Sequence, residues 1–153
     1  MSSQRLTELT GVALVILQFA LLAVLGWQAL TYANGSIPVY SLVLLFGGVF
    51  MGLWAVSANR PGNFYIRPVP KPGGELIEHG PYRVIRHPMY LSLMLVGLGT
   101  AFMSMQAVAL ISWAALVLVL TAKAILEERA LQQQFAEYRD YCARTWRFFP
   151  GLF

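Results

Sequence analysis

The chain has 153 residues, 58% of them hydrophobic and only 12% charged, with a formal net charge of +4. A soluble domain carries roughly 25% charged residues, so this inventory excludes an ordinary water-facing surface and requires lipid to solvate much of the protein. One cysteine, Cys142, excludes an intrachain disulfide; a lone cysteine is more often a small buried hydrophobe than a nucleophile. No basic run is interleaved with aromatics, so nothing supports nucleic-acid binding, and the positive balance reads as membrane orientation.

A helix rises about 1.5 Å per residue and a hydrocarbon core is about 30 Å thick, so a span needs about 20 apolar residues. The first apolar run covers about 9–32, up to the turn Asn34-Gly35-Ser36. It is too long for a signal-peptide core and no small-residue cleavage site follows, so we expect it to be retained. The second starts at Pro38, suited to a first helical turn, and runs to about residue 58; Gly47, Gly48 and Gly52 would let another helix approach closely. A Pro- and Gly-rich polar stretch, 59–87, reads as a cytoplasmic loop rather than a long helix.

After His87-Pro88 a third run covers 88–103, short for a full span, and a fourth covers 107–126, with Ser104-Met105-Gln106 between them as a tight hairpin turn. Beyond it, Leu131, Phe135, Tyr138 and Cys142 fall on one helical face, so 127–145 reads as an amphipathic helix at the cytoplasmic membrane surface. The ending Trp146-Arg147-Phe148-Phe149-Pro150 has the composition of an interface anchor. The expected fold is an all-α integral membrane protein: a single domain of four transmembrane helices, the last two a hairpin, plus the C-terminal amphipathic helix.

Four spans put every charged residue on one side, because the Asn34 and Ser104 turns carry none. The excess of basic residues makes that side cytoplasmic, with both termini there. The short, plain architecture suits a prokaryotic inner membrane. Any site for a charged soluble cofactor must then lie where the 59–87 loop meets the C-terminal helix, and a lipid-like substrate would reach it from the bilayer. A non-enzymatic membrane scaffold explains the spans equally well.

The segment Gly80-Pro81-Tyr82-Arg83-Val84-Ile85-Arg86-His87-Pro88-Met89-Tyr90 is dense in functional residue types. Pro88 fits the first turn of the third helix, placing His87 at an N-terminus whose free amides and dipole favour a carboxylate. Arg83 and Arg86 add positive charge, and are also what a headgroup-anchoring loop would carry. The two histidines, His79 and His87, are eight residues apart with no cysteine at ligand spacing, so no metal cluster is visible.

The order Gly80-Pro81-Tyr82, Arg86-His87-Pro88-Met89-Tyr90, Gly97-Leu98-Gly99, Glu127-Glu128, Phe135 with Tyr138 and Tyr141, and the Arg147–Pro150 ending resembles the isoprenylcysteine carboxyl methyltransferase family, with its phospholipid N-methyltransferase relatives. The resemblance covers roughly the C-terminal half. It implies methyl transfer from S-adenosylmethionine to a lipophilic or amphiphilic acceptor. It places His87 and Tyr90 on the cofactor, Tyr82 close by, Leu76 and Ile77 along the pocket backbone, and Glu127 on the cofactor. The phospholipid methyltransferase relatives add Gly97, Gly99 and Glu128.

A carboxylate such as Glu127 suits the cofactor's ammonium, and Tyr82 or Tyr90 could face a cation or the adenine. Gly97 and Gly99 are as well explained by close helix packing. Lys123, one turn before Glu127, stands where the carboxyl methyltransferases have an arginine that meets the substrate carboxylate. Lysine keeps the charge and loses the bidentate fork; it is equally a snorkelling residue at a span's end. Gly74 stands about where the family has a histidine, and the first two spans match no motif. No general base is assigned. The rival enzyme reading is an NADPH-dependent sterol or isoprenoid reductase, whose C-terminal region is similar.

Overall fold

The computed structural model describes residues 3–33, 36–59 and 75–152; the Asn34-Gly35 turn, most of the Pro-rich loop and Gly74 lie outside the described residues. Five α-helices and one 3-10 turn are found among them: α1 (Ser3–Tyr32), α2 (Val39–Ala58), the turn Gly80–Arg83, α3 (Pro88–Ser104), α4 (Ala107–Gln134) and α5 (Tyr138–Arg144). Three helices, α1, α2 and α4, are long and apolar enough to cross a membrane. With 17 residues, α3 spans about 25 Å and falls below that length. Leu30, 87% exposed, and Phe46, Ile111 and Leu118 turn outward from the bundle, as lipid-facing side chains do.

At the centre, α3 packs against α1, α2 and α4, while α1 also packs along α4. On α2 the buried residues Ser41, Gly48 and Ala55 recur every seven positions and form a seam of small side chains. The seam lets α3 come to backbone distance: a Cβ on Gly48 would lie 2.9 Å from the Ser92 carbonyl oxygen, and one on Gly99 2.9 Å from that of Ser41. Ser92 closes the contact by donating to the Gly48 carbonyl at 2.7 Å. On the other side, Leu25, Met94, Ala101, Leu116, Leu120 and Ala124 build the apolar core.

A Gly48→Ala substitution should therefore cost about 1–3 kcal/mol of stability, as overpacking does. Gly47→Ala, whose Cβ would meet nothing within 4 Å, should be neutral or slightly stabilising. Unfolding midpoints in detergent compare the two, and equal midpoints would mean that α2 and α3 do not approach this closely.

The hairpin turn forms because Met105 adopts the left-handed conformation (φ 52°) and ends α3. The other end departs from the sequence expectation. No boundary falls at residue 126: α4 continues two turns further, to Gln134, and Phe135 (φ −119°, ψ 119°) breaks it. The expected amphipathic helix 127–145 is thus divided into the end of α4 and the seven-residue α5. Of the residues expected along one face, Phe135 is not helical, while Tyr138 is buried. Likewise α1 begins at Ser3, six residues ahead of the apolar run.

Past α5 the chain returns to the start of α3. Ile85 and Trp146 form a parallel bridge; Arg86 N donates to Trp146 O (2.8 Å), His87 N to Arg147 O (3.2 Å), and Trp146 N to Val84 O (2.9 Å). The aromatic ending is consequently split. Phe148 is buried and joins the core, while Trp146 and Phe149 stay exposed.

Candidate functional site

The start of α3, the last third of α4 and the returning C-terminal segment meet at one end of the bundle. Every ion pair among the described residues lies there. Pro81 and Pro88 set the path into α3. Each occupies an early position of its turn or helix, where its missing N–H has no cost. Gly80 takes φ +60° and lies against Ala58 at the end of α2, which fixes the 3-10 turn to that helix.

Successive helical residues point about 100° apart, and the adjacent glutamates of α4 consequently meet different partners. Glu128 is consumed by the protein itself. Its Oε1 accepts from Arg86 Nε (3.0 Å) and Arg147 Nε (3.0 Å) and lies 3.1 Å from His87 Nε2, while Oε2 accepts from Arg147 at 2.7 Å. The side chain is 8% exposed. Arg86 also donates to the carbonyls of Cys142 and Thr145, so one guanidinium ties α3's entry, α4 and the C-terminal segment together. The carboxylates that approach the head of α3 are the protein's own.

Glu127 is the less committed carboxylate, with a side chain 31% exposed. Its Oε2 accepts from the Tyr90 hydroxyl at 2.9 Å and lies 3.7 Å from His87 Nδ1. The His87 ring stacks on Tyr90 (centroids 5.3 Å apart, planes 4° apart) and lies 6.0 Å from Phe148. Lys123, one turn earlier on α4, places its Nζ 5.1 Å from the Tyr90 ring centroid and donates to Gln18 Oε1 on α1.

Tyr82 borders this group. Burial, then the Glu127 charge, push its phenol up to about 12, against a hydrogen bond from Asn59 that pulls the other way. It stays neutral at physiological pH. The Tyr141 hydroxyl holds the Tyr82 carbonyl at 2.7 Å, and burial pushes the Tyr141 phenol up as well, keeping that donor protonated. Leu76 is half-buried and Ile77 buried in the segment leading into the turn.

Of the residues singled out from sequence, His87, Tyr90, Lys123, Glu127 and Glu128 are thus brought together, with Tyr82 alongside. Gly97 and Gly99 are not among them. Both lie at least ten residues into α3 from His87, about 15 Å along the axis. A Cβ on Gly97 would meet Leu116, Trp113 and Leu25, and one on Gly99 would meet Leu45 and Ser41. Close helix packing is a sufficient reason for a glycine at Gly99, where the Ser41 backbone lies within 3 Å, and a weaker one at Gly97, where side-chain ends approach to 3.2–3.4 Å. The Tyr90 ring faces a cation, but that cation is Lys123.

Sequence reasoning named Arg147 only within the C-terminal motif and anchor, and it missed Gln18. The signal for Gln18 was a polar amide in the middle of an apolar span, opposite a second span that carries an amine. Nothing in the sequence pointed to Glu128 as the partner of Arg147, because that pairing depends on how the chain returns. Among the described residues no group of three or more His, Cys, Asp or Glu could hold a metal ion.

Several known proteins are similar to this chain. The nickel-cobalt-cadmium resistance protein NccN of Alcaligenes xylosoxydans xylosoxydans is 38% identical over 82 residues, 51% of this chain and 37% of that protein. The cobalt-zinc-cadmium resistance protein CzcN of Cupriavidus metallidurans is 37% identical over 79 residues, 50% of this chain and 36% of that protein. A probable protein-S-isoprenylcysteine O-methyltransferase of Oryza sativa is 27% identical over 113 residues, 72% of this chain and 59% of that protein. The chain thus spans from about a third to three fifths of the length of these relatives. The phospholipid methyltransferase family matches residues 36–138, a stretch running from α2 through the whole α3–α4 hairpin to the start of α5. The chain is a member of the phospholipid methyltransferase family.

Proposed function

We propose that this chain transfers a methyl group from S-adenosylmethionine to a lipophilic or amphiphilic acceptor, at the cytoplasmic end of a bundle embedded in a prokaryotic inner membrane, with both termini cytoplasmic. The observation that carries the reading is Glu127. It is a partly exposed carboxylate held by Tyr90 beside His87, at the charged end of an otherwise apolar bundle.

The donor set fits the cofactor. Glu127 offers an anion to an ammonium through a charge-assisted hydrogen bond, while Glu128, fully engaged, fixes His87 from behind. When bound, S-adenosylmethionine supplies a methyl group on a sulfonium that departs as a neutral thioether. The residues' part is then to bind, orient and exclude water. Tyr90 holds Glu127 in one orientation; His87 is held by its ring stack and by Glu128; the core beneath them, including Phe148 and Leu120, keeps the site dry on the bundle side. Such positioning is itself a large contribution to a displacement reaction. A carboxylate acceptor needs no base, whereas an amine or thiol must lose a proton. Prenylated cysteine, a phospholipid amine and other small amphiphiles all suit a site reached from the bilayer.

Incubating the purified protein with methyl-labelled S-adenosylmethionine and lipid extract should move label into the organic phase. Release of that label as methanol by mild base identifies an ester, and retention identifies an amine or thioether. A folded protein that labels no fraction, yet binds NADPH, would replace this reading with the reductase one.

A further inference from the structure

Gln18, near the middle of α1, and Lys123, on α4, are 6% and 2% exposed. The Lys123 ammonium donates to Gln18 Oε1 at 2.5 Å and lies over the Tyr90 ring. Among the described residues no carboxylate comes within 4.0 Å of it. An ammonium buried inside a membrane bundle is costly even near a span's end, and ionisable residues held there are as a rule functional. The ordinary escape is to snorkel toward water. Lys123 instead turns across the bundle to a neutral amide, although Glu127 stands one turn away on its own helix face, at a spacing that allows a lysine–glutamate pair, though in the weaker of its two orders.

We propose that Gln18 is a positioning residue of the site, which makes α1 part of it: its amide holds the Lys123 ammonium over Tyr90 and away from Glu127. The inference rests on the methyl-transfer reading above. Left without an oxygen acceptor on α1, the ammonium would turn to the nearest anion. That anion is Glu127, the carboxylate the cofactor's ammonium requires. Gln18 thus keeps Glu127 available, and Tyr90, between Lys123 and His87, holds it in place.

Three variants test this by S-adenosylmethionine titration in nanodiscs. Gln18→Leu should weaken binding about tenfold, the effect of one hydrogen-bonded charge, with an unchanged unfolding midpoint. Gln18→Glu, which keeps an oxygen acceptor, should bind like the parent. Adding Lys123→Met to Gln18→Leu should restore affinity, which a packing defect at Gln18 would not allow. A Gln18→Leu protein that binds as the parent does, or that Lys123→Met fails to rescue, overturns the proposal.

A second readout separates this from the site assignment. The sequence has two lysines, Lys71 and Lys123, so in a Lys71→Arg background the side-chain ammonium signal of 15N-lysine protein comes from Lys123 alone. It should shift on Gln18→Leu. An unmoved signal defeats the proposal whether or not the cofactor binds. A moved signal in a parent that does not bind S-adenosylmethionine keeps the Gln18–Lys123 coupling and removes the methyl-transfer reading.

Discussion

Replacing Glu128 with alanine should destabilise the protein by about 3–5 kcal/mol, the usual consequence of removing one partner from a buried ionic cluster. Three cationic or ring donors converge on that carboxylate: Arg86, Arg147 and His87. Without it, two guanidiniums are left facing each other at the joint between α3, α4 and the C-terminal segment. The loss should be local before it is global. Arg86 reaches the carbonyls of Cys142 and Thr145, so its release frees the segment that follows α5. Cys142 is the chain's one cysteine and half-buried, which makes its thiol a single-site reporter. Its modification by a soluble maleimide should accelerate by at least about tenfold in Glu128→Ala, as expected when a local opening is favoured by more than 1.4 kcal/mol. An unchanged rate with an unchanged unfolding midpoint would show that Glu128 does not hold this joint.

Glu127→Ala should do the opposite, leaving the fold intact while abolishing most of the cofactor affinity. Its side chain is partly exposed and takes one hydrogen bond, from Tyr90, and on its removal the buried groups beside it keep their other partners, His87 on Glu128 and Lys123 on Gln18. If it receives the cofactor's ammonium, the lost charge-assisted bond is worth about 1.5–3 kcal/mol, or roughly ten- to a hundredfold in dissociation constant. Isothermal titration on parent and variant in the same nanodiscs reads the change, with the unfolding midpoint as control. The contrast between two adjacent residues is the informative result: on the proposed function, substitution of Glu128 should cost stability and that of Glu127 affinity. Equal effects on stability from both substitutions would contradict that division.

The apolar runs made α1, α2 and the α3–α4 hairpin legible from sequence, because lipid selects a long uninterrupted pattern that few other structures require. The end of α4 was not legible. Charged residues from Glu127 onward mark where the helix leaves an apolar setting, but backbone hydrogen bonding does not depend on that change, and α4 continues to Gln134. The break at Phe135 contains neither glycine nor proline, and the aromatics that follow it, Tyr138, Tyr141 and Phe148, are buried. The return of Trp146 alongside Ile85 is a contact between distant parts of the chain, for which local pattern carries no signal.

The site was legible in part for the same reason. His87, Tyr90, Glu127 and Glu128 could be named because they stand in ordered motifs, and Lys123 because it is one turn from Glu127. Their partition could not be. Which glutamate is spent on Arg86 and Arg147 depends on the azimuth of α4 against α3. Gly97 and Gly99 stand away from this group, among short packing distances to Leu116, Leu45 and Ser41 that no local pattern announces.

The proposed function requires a soluble methyl donor to bind at Glu127 and His87. Equilibrium titration of the detergent-free parent protein with S-adenosylmethionine, and in parallel with NADPH, tests it most directly. S-adenosylmethionine should bind saturably and be displaced by S-adenosylhomocysteine, and NADPH should not bind. Saturable NADPH binding, or no binding of either by a folded protein, would contradict it.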